Sequence, residues 1–482
     1  MSTVRKDSIN AIVNRAYTLL DSNVHDNIHK KFEFQRDIVL ADETLTVNQK
    51  TKAIKKLTKY YDRNKVLFND GTTRTCEMCN QECLATLFCE HCVRNYLKAK
   101  FSSWTSENQE IDKLIQECQM ETLGPDYTVE WIPFDNLQNV KYLTEGGISK
   151  IYTAEWINGH YDEWDFEKKK LKRSGTFEVI LKGLENVENA DHSWFEEAKS
   201  HLTINNKRPE IVRCYGLTKD ASKGNYMLVM MKMNMDLREY LQRNYDQLSW
   251  KKKIRITLEI IDALYYIHQE KAIHRDLHSG NVLYSQFEDY WYISDLGFCG
   301  PADKSSKSIY GNLPYIDPSV ILTRKYTFAS DIYSIAMLMW EISSCRPPFT
   351  DRKHDYDLIT NILHGLRPKI VPGTPLEYSS LIKQCWDNDP SKRPDICTIR
   401  HKIIEISKSY QNMPDEPLQS SYSDLKMDKY SSLEINFSGS KLFTYKFNDL
   451  PKNTTAFGTK VYELTIPDNV EFEDDDFNEA SN

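Results

Sequence analysis

The feature that most constrains this chain is the stretch IHRDLHSGNVLY, residues 273–284, together with the segment that follows it. It places a carboxylate, Asp276, five positions before an amide, Asn281, and a short apolar run follows. A second acid, Asp295, lies 19 residues beyond Asp276 in YISDLGFCG. Two acids and an amide at fixed intervals beside strand-like apolar runs indicate a polar functional site, because an ordinary core segment would not need them.

Further motifs stand before and after this stretch in a fixed order. FEVILKGL (177–184) and SWFEEAKSHL (193–202) precede it, and ASDIYSIAMLMWE (329–341) and CWDNDPSKRPD (385–395) follow. Together they resemble the eukaryotic protein kinases, nearest the tyrosine-kinase-like group, over residues 128–408. The resemblance implies an α+β, two-lobed kinase fold with a small β-rich N-lobe and a large α-helical C-lobe.

The resemblance also assigns catalytic roles. Asp276 is expected to orient the attacking hydroxyl and accept its proton, and Asn281 and Asp295 are expected to bind Mg²⁺. Leu296 replaces the phenylalanine of the family's Asp-Phe-Gly motif, an apolar change that should leave the metal role of Asp295 intact. Arg275 is expected to pair with a phosphate on the segment ADKSSKSIYG (302–311). The alternative is that this segment is an ordinary polar loop that is not phosphorylated.

Lys182, in the strand-like FEVILKGL, is expected to neutralise the α- and β-phosphates of ATP. A carboxylate on the next helix must hold it, and the family pattern favours Glu197 over Glu196. Asp331 is expected to brace the backbone of the catalytic loop.

The nucleotide pocket follows from the same resemblance. YMLVMMKMNMDLREYL (226–241) supplies Met230 as gatekeeper, with Met231 and Met233 near the adenine. YLTEGGISKIYTAEW (142–156) resembles the glycine-rich loop, and its positions read Thr144, Gly146 with Gly147 beside it, Ser149 and Ile151. A β-branched residue stiffens a turn, so we expect Thr144 to stiffen the lid and weaken ATP binding. Replacing it with glycine should then tighten nucleotide binding.

Three departures from the family pattern bear on activity. Ser319 stands where the family has a glutamate that pairs with the arginine corresponding to Arg393. Loss of one partner of a buried pair costs about 3–5 kcal/mol, unless a neighbour such as Asp317 compensates. Asn312 and His278 replace a threonine and a lysine typical of serine/threonine kinases, and the arginine of tyrosine-kinase loops is absent too.

The sequence therefore favours an ATP- and Mg²⁺-dependent protein kinase acting on protein substrates, with Ser/Thr expected over Tyr from overall resemblance. One alternative is a pseudokinase scaffold with weak or no phosphotransfer. A second is an N-terminal interaction module that the kinase fold regulates.

A separate motif, TCEMCNQECLATLFCEHC, spaces two CxxC pairs ten residues apart: Cys76, Cys79, Cys89 and Cys92. This spacing suits a closed, structural Zn²⁺ site, with ordinary free thiols as the alternative. Cys83 and His91 lie inside the motif and are expected not to be ligands. Such a knuckle would attach the N-terminal helices to the kinase domain or present a docking surface.

The expected organisation is a helical region (1–70), a cysteine-rich zinc-knuckle segment with its following helix (71–125), the kinase domain (128–408) and a polar, acidic tail (411–482). This layout resembles a large fungal family of kinase-like proteins. Capping boxes are predicted at Thr46 with Gln49 and at Ser106 with Gln109. Five lysines between 50 and 59 predict either a solvated face or a docking patch for acidic partners.

The net charge of −8 argues against avid nucleic-acid binding. No apolar run reaches the length of about 20 residues that a membrane helix needs. We therefore expect an intracellular, cytoplasmic protein with mostly reduced cysteines. The oligomeric state stays open.

Overall fold

The computed structural model describes residues 2–20, 24–145, 149–184, 194–205, 207–220, 224–300, 311–354 and 356–411. It shows a sheet-based small lobe and a helical large lobe, preceded by a helical region with a cysteine cluster, so the predicted fold class is confirmed. Gly146, Gly147, most of the segment 302–311 and the acidic tail lie outside the described residues. The predicted domain boundaries stay a prediction.

Three helices form the N-terminal region: α1 (Ser2–Thr18), α2 (Ile28–Ala41) and α3 (Val47–Phe68). Apolar residues recurring at helical spacing bury one face of each helix in a shared core, which includes Val13, Val39 and Leu57. The predicted capping box of Thr46 and Gln49 opens α3.

The lysines of α3 contact other parts of the same chain. Lys55 Nζ lies 2.7 Å from Glu163, and Lys59 Nζ lies 2.6 Å from Asp162, both on a hairpin of the small lobe. Lys56 stands 5.9 Å from the ring of Phe287, which belongs to the large lobe. The N-terminal helices thus contact both lobes, and part of the basic face is occupied by acids of this chain.

The cysteine-rich segment contains two short strands and two helices: β1 (Arg74–Thr75), β2 (Glu82–Cys83), α4 (Glu90–Lys98) and α5 (Gln109–Met120). The prediction that Ser106 caps α5 was wrong. Asn108 is the N-cap, and its side chain accepts the N–H groups of Glu110 at 2.9 Å and Ile111 at 3.2 Å. The Ser106 hydroxyl is already bonded to Asp112, which explains the difference.

The small lobe is built on a six-stranded sheet with the order β3-β9-β10-β8-β5-β4. Its strands are β3 (Glu130–Trp131), β4 (Leu137–Glu145), β5 (Lys150–Trp156), β8 (Phe177–Gly183), β9 (Cys214–Lys219) and β10 (Tyr226–Met231). The hairpin of β6 (Tyr161–Asp165) and β7 (Lys170–Arg173) is inserted between β5 and β8, and α6 (Trp194–Asn205) follows β8. Central strand β8 is therefore flanked on both edges and fixed in register.

The large lobe contains the short strands and remaining helices: β11 (Met235–Asp236), α7 (Leu237–Arg243), α8 (Trp250–Gln269), β12 (Val282–Ser285), β13 (Tyr290–Ile293), α9 (Pro318–Thr323), α10 (Phe328–Ser344), α11 (Tyr356–Leu363), α12 (Leu376–Cys385) and α13 (Ile396–Gln411). Helix α10 is apolar on nearly all sides and lies in the core of this lobe, which makes it a rigid base for the loops above it. Among the described residues, no helix has the length and apolar character to cross a membrane.

Candidate active site

The centre of the site is an ion-pair cluster between the two lobes. Lys182 sits on central strand β8, in register with Ile151 on one side and Leu228 on the other. Its Nζ lies 2.8 Å from Glu197 Oε1 on α6 and 2.6 Å from Asp295 Oδ1. The structure thus brings together three residues that are up to 113 positions apart in the sequence.

Electrostatics stabilise this cluster in its charged form. Burial alone would lower the pKa of Lys182, but the carboxylates of Asp295 and Glu197 raise it well above its usual value. Burial would likewise raise the pKa of Asp295, and Lys182 holds it well below its usual value instead. Glu196 is exposed, whereas Glu197 is buried, so the helix presents only the second glutamate to the lysine.

The catalytic-loop residues Asp276 and Asn281 contact each other in the segment between α8 and β12. The amide nitrogen of Asn281 donates to the backbone oxygen of Asp276 at 2.9 Å and to its Oδ2 at 3.3 Å. That leaves the amide oxygen of Asn281 as its remaining polar atom, and an amide oxygen is a ligand that Mg²⁺ accepts.

Two residues of the site adopt left-handed backbone conformations: Arg275, with φ of 70°, and Asp295, with φ of 55°. Such conformations in non-glycine residues cost about 1–3 kcal/mol each and persist only where the surroundings impose them. The site therefore stores backbone strain at two of the positions where the sequence predicts function.

Asp331 braces the backbone of the catalytic loop, as predicted, at the position of the first of these conformations. One carboxylate oxygen accepts the N–H of His274 at 2.8 Å, and the other accepts the N–H of Arg275 at 3.0 Å. His268 approaches the same carboxylate at 2.9 Å. The aspartate is buried at the N-terminal end of α10, so the catalytic loop is anchored to a helix that lies in the core of the lobe. The Arg275 guanidinium lies 5.6 Å from the ring of Tyr326.

The proposed adenine-side residues line the end of β10. Met230 is buried and pairs with Ile180 of β8, while Met231 and Met233 are half-buried against the apolar core beneath the sheet. Ser149 is buried, with 6% of its surface exposed.

The placement of Thr144 differs from the prediction. It lies within strand β4 and pairs with Ile151 of β5, so it is not part of the turn expected from the resemblance to a glycine-rich loop. A β-branched residue suits such a position, because its stiffness favours the extended conformation.

The departure at Ser319 is compensated. The guanidinium of Arg393 makes a bidentate pair with Asp317, at 2.5 Å and 2.9 Å, and neither side chain is exposed. Asp317 thus supplies the carboxylate that is missing at Ser319. This is the compensation by a neighbour that the sequence analysis considered.

Sequence reasoning missed His201. This histidine lies one turn after Glu197 on α6, is fully buried, and its Nε2 accepts the N–H of Leu296 at 3.2 Å. Burial, reinforced by the nearby charge of Lys182, lowers its pKa to about 4, which keeps it neutral and able to accept. Its spacing of four from Glu197, which puts both on one helix face, was the available signal.

The four predicted zinc ligands also converge. The Sγ atoms of Cys76, Cys79, Cys89 and Cys92 all lie within 4.8 Å of one another. Two of the pairs are 3.7 Å apart. A tetrahedron of sulfurs at about 2.3 Å from a zinc ion has S···S distances of about 3.8 Å, so the arrangement fits the ion.

The two residues of the motif that were expected not to be ligands, Cys83 and His91, make different contacts. Cys83 Sγ lies 3.4 Å from the carbonyl oxygen of Arg74, and His91 Nε2 lies 3.0 Å from the carbonyl oxygen of Glu82. The loop that carries the cysteines is held by α3, where Lys65 Nζ donates to the carbonyl of Leu84 at 2.6 Å. The cysteines also share an apolar cluster with the β6–β7 hairpin, so this segment connects the N-terminal helices to the small lobe.

Comparison with known proteins agrees with this geometry. A family model described as protein tyrosine and serine/threonine kinase matches residues 137–403, more than half of the chain. Among curated relatives, the probable serine/threonine-protein kinase roco5 of Dictyostelium discoideum is 27% identical over 67% of this chain and 12% of its own length. The dual specificity protein kinase zakA of the same organism is 27% identical over 58% of this chain and 40% of its own.

A dual serine/threonine and tyrosine protein kinase of Bos taurus is 29% identical over 45% of this chain and 24% of its own length. The matched region therefore spans less than half of each of these relatives. The matched region of this chain contains the lysine–glutamate pair, the catalytic loop and the buried arginine pair described above. The chain belongs to the family of protein tyrosine and serine/threonine kinases.

Proposed function

We propose that this chain transfers the γ-phosphate of ATP to hydroxyl groups of protein substrates, with serine and threonine preferred over tyrosine. The observation that carries the proposal is the cluster of Lys182, Glu197 and Asp295, assembled at 2.6–2.8 Å. Asn281 contacts Asp276 at 3.3 Å, and its carbonyl oxygen accepts the N–H of Ser294, the residue before Asp295, at 2.8 Å. Apart from Ser294, these residues are the ones to which the family resemblance gives direct chemical work.

In this proposal Lys182 binds phosphate oxygens of ATP, and Glu197 fixes the position of its ammonium group. Asp276 orients the substrate hydroxyl and takes up its proton as the hydroxyl oxygen attacks the γ-phosphorus. The bond between the γ-phosphorus and the β,γ-bridging oxygen breaks in the same transfer, and ADP leaves. Asp295 and the amide oxygen of Asn281 would hold Mg²⁺, which neutralises phosphate charge when it is bound. Asp295 stays ionised because of Lys182, so it suits a hard cation.

The cysteine cluster is proposed to bind one structural zinc ion. All four thiols belong to the protein, so the site is closed and its role is to hold the cysteine loop between α3 and the small lobe. We also propose that the order of the segments, a cysteine motif before a kinase domain, relates this chain to a fungal family of kinase-like proteins.

Phosphate transfer by the purified full chain tests the function, with Asp276→Asn as the matched variant. We expect labelled phosphate to appear on the chain or on a general protein substrate and to be lost in the variant, with serine and threonine carrying most of the label. Nucleotide-dependent thermal stabilisation without transfer would instead support a pseudokinase.

A further inference from the structure

Two asparagines of α1 attach the N-terminal helices to the large lobe. Asn10 Nδ2 donates to the carbonyl oxygen of Phe287 at 2.8 Å, and Asn14 Nδ2 donates to the carbonyl oxygen of Glu288 at 2.8 Å. Both carbonyls belong to the turn that joins β12 to β13. The asparagines are four positions apart, so they share one face of the helix. These two residues are termed the large-lobe anchor.

Two lysines of α3 make the corresponding contact with the small lobe. Lys59 Nζ donates to Asp162 Oδ1 at 2.6 Å and to its carbonyl oxygen at 3.3 Å, and Lys55 Nζ lies 2.7 Å from Glu163. Both acids belong to β6. Burial alone would lower the pKa of Lys59, but the nearby Asp126 and Asp162 raise it, so its ammonium group stays charged against the hairpin. Lys55 and Lys59 are termed the small-lobe anchor.

The two anchors are joined by packed helices. Side chains of α1 and α3, among them Val13 and Leu57, share one buried core. Lys56 Nζ also donates to Asn10 Oδ1 at 3.1 Å, which links α3 directly to the large-lobe anchor. A close-packed core transmits displacement, so movement of one anchor is passed to the other.

Both hairpins that the anchors hold lead to the catalytic cluster. Asn281 directly precedes β12, and Asp295 follows the end of β13 by two residues. The β6–β7 hairpin is tied to the small-lobe sheet by Arg173, whose guanidinium donates to Glu130 of β3 at 2.5 Å and 3.2 Å. Strand β8 of that sheet carries Lys182. The anchors therefore hold one hairpin on each side of the ion pair between the lobes.

We propose that α1 and α3 form a clamp that fixes the lobes at the angle at which Lys182 Nζ meets Asp295 Oδ1, 2.6 Å apart. The chain passes between the lobes at residues 232–234, and a single short connection acts as a hinge. A second, rigid link restricts rotation about that hinge, so the four anchor residues are positioning residues for phosphate transfer. This inference goes beyond the proposed function, and only its rate measurement rests on that function.

One double substitution at each anchor tests the clamp: Asn10→Ala with Asn14→Ala, and Lys55→Ala with Lys59→Ala. Lys52→Ala is the matched control, since that lysine is exposed on the same helix. We expect either double substitution to lower the rate of transfer at saturating ATP by about tenfold, since a misplacement of about 1 Å costs as much as about 100-fold. Combining all four changes should lower the rate by at most about twofold more, because the clamp already fails when one anchor is lost.

A second measurement follows the lobes without any chemistry. Fluorophores attached to genetically encoded reactive amino acids at Lys141 and Lys383, exposed on the small and the large lobe, report the distance between the lobes by energy transfer in the full chain. We expect a wider distribution of this distance in both anchor variants and in their combination, and an unchanged distribution in the control.

An exchange of charges separates the clamp from a general effect on folding. Lys59→Asp should widen the distance distribution, and Lys59→Asp with Asp162→Lys should recover most of the original distribution and rate, because the ion pair is restored in reverse. Unchanged distributions in both anchor variants, rate losses that multiply in the combined variant, or an exchange that recovers nothing would overturn the clamp. If the unsubstituted chain transfers no phosphate, the proposed function falls alone, and the distance measurements still decide the clamp.

Discussion

The buried pair of Arg393 and Asp317 gives the sharpest prediction for stability. The arginine makes two hydrogen bonds to the carboxylate, at 2.5 Å and 2.9 Å, and both side chains are fully enclosed. Asp317→Ala would leave the guanidinium buried with only the carbonyl oxygens of Ala329 and Asp387 to accept from it. Removing one partner of such a pair costs about 3–5 kcal/mol, because the remaining charge is neither hydrated nor neutralised.

A smaller loss adds to this one. Asp317 is also the N-cap of α9 and accepts the N–H of Ser319 at 2.9 Å, a contact worth about 1 kcal/mol. The combined loss is at least about 4 kcal/mol, so thermal unfolding of the full chain should occur at least about 8 °C lower in Asp317→Ala, using about 2 °C for each kcal/mol in a domain of this size.

A second substitution tests the compensation itself. Ser319→Glu restores the carboxylate at the position where the family carries it, so in the Asp317→Ala background it should recover a large part of the lost stability. Asp351→Ala is a matched control, because that aspartate is 79% exposed, and it should unfold with the unsubstituted chain. If Asp317→Ala also unfolded within 1–2 °C of the unsubstituted chain, the pair would not have the role assigned to it.

Three further predictions concern the zinc cluster, its support and the nucleotide loop. Cys76→Ser should abolish the zinc content of the purified chain, measured by elemental analysis, whereas Cys83→Ser should keep one zinc per chain; equal metal contents would contradict the assignment. Lys65→Met should weaken zinc affinity by about tenfold or more in a chelator competition, because its ammonium group fixes the cysteine loop, and an unchanged affinity would count against this support. Thr144→Gly should leave ATP affinity, measured by calorimetry, unchanged or weaker, because it removes a strand residue paired with Ile151. Tighter binding would instead support the expectation that Thr144 stiffens a turn of the nucleotide loop.

The catalytic cluster could be predicted from the sequence because its residues belong to ordered motifs with regular spacing. The choice of Glu197 over Glu196 likewise followed from the family pattern, and the helix geometry explains it, since only one of two adjacent helical residues can face the lysine. The sequence could not decide whether Asp317 compensates for Ser319. Whether a carboxylate two positions before Ser319 reaches Arg393 depends on the path of the backbone.

Other features depended on contacts that no local pattern contains. Lys59 and Asp162 are 103 positions apart, so the occupation of the basic face by acids of the small lobe could not be predicted. Ser106 was predicted to be a cap from a matching spacing, but Asp112 competes for its hydroxyl. The hydrogen bond from the N–H of Gly280 to His278 Nδ1 likewise has no signature in the sequence.

The most direct test of the central claim is single-turnover transfer of labelled γ-phosphate by the full chain and by Asp276→Asn, at equal nucleotide occupancy. We expect transfer by the unsubstituted chain and a rate lower by about 100-fold or more in the variant, since only the orienting carboxylate is lost. Full nucleotide binding without transfer by the unsubstituted chain, or equal rates for the two proteins, would contradict it.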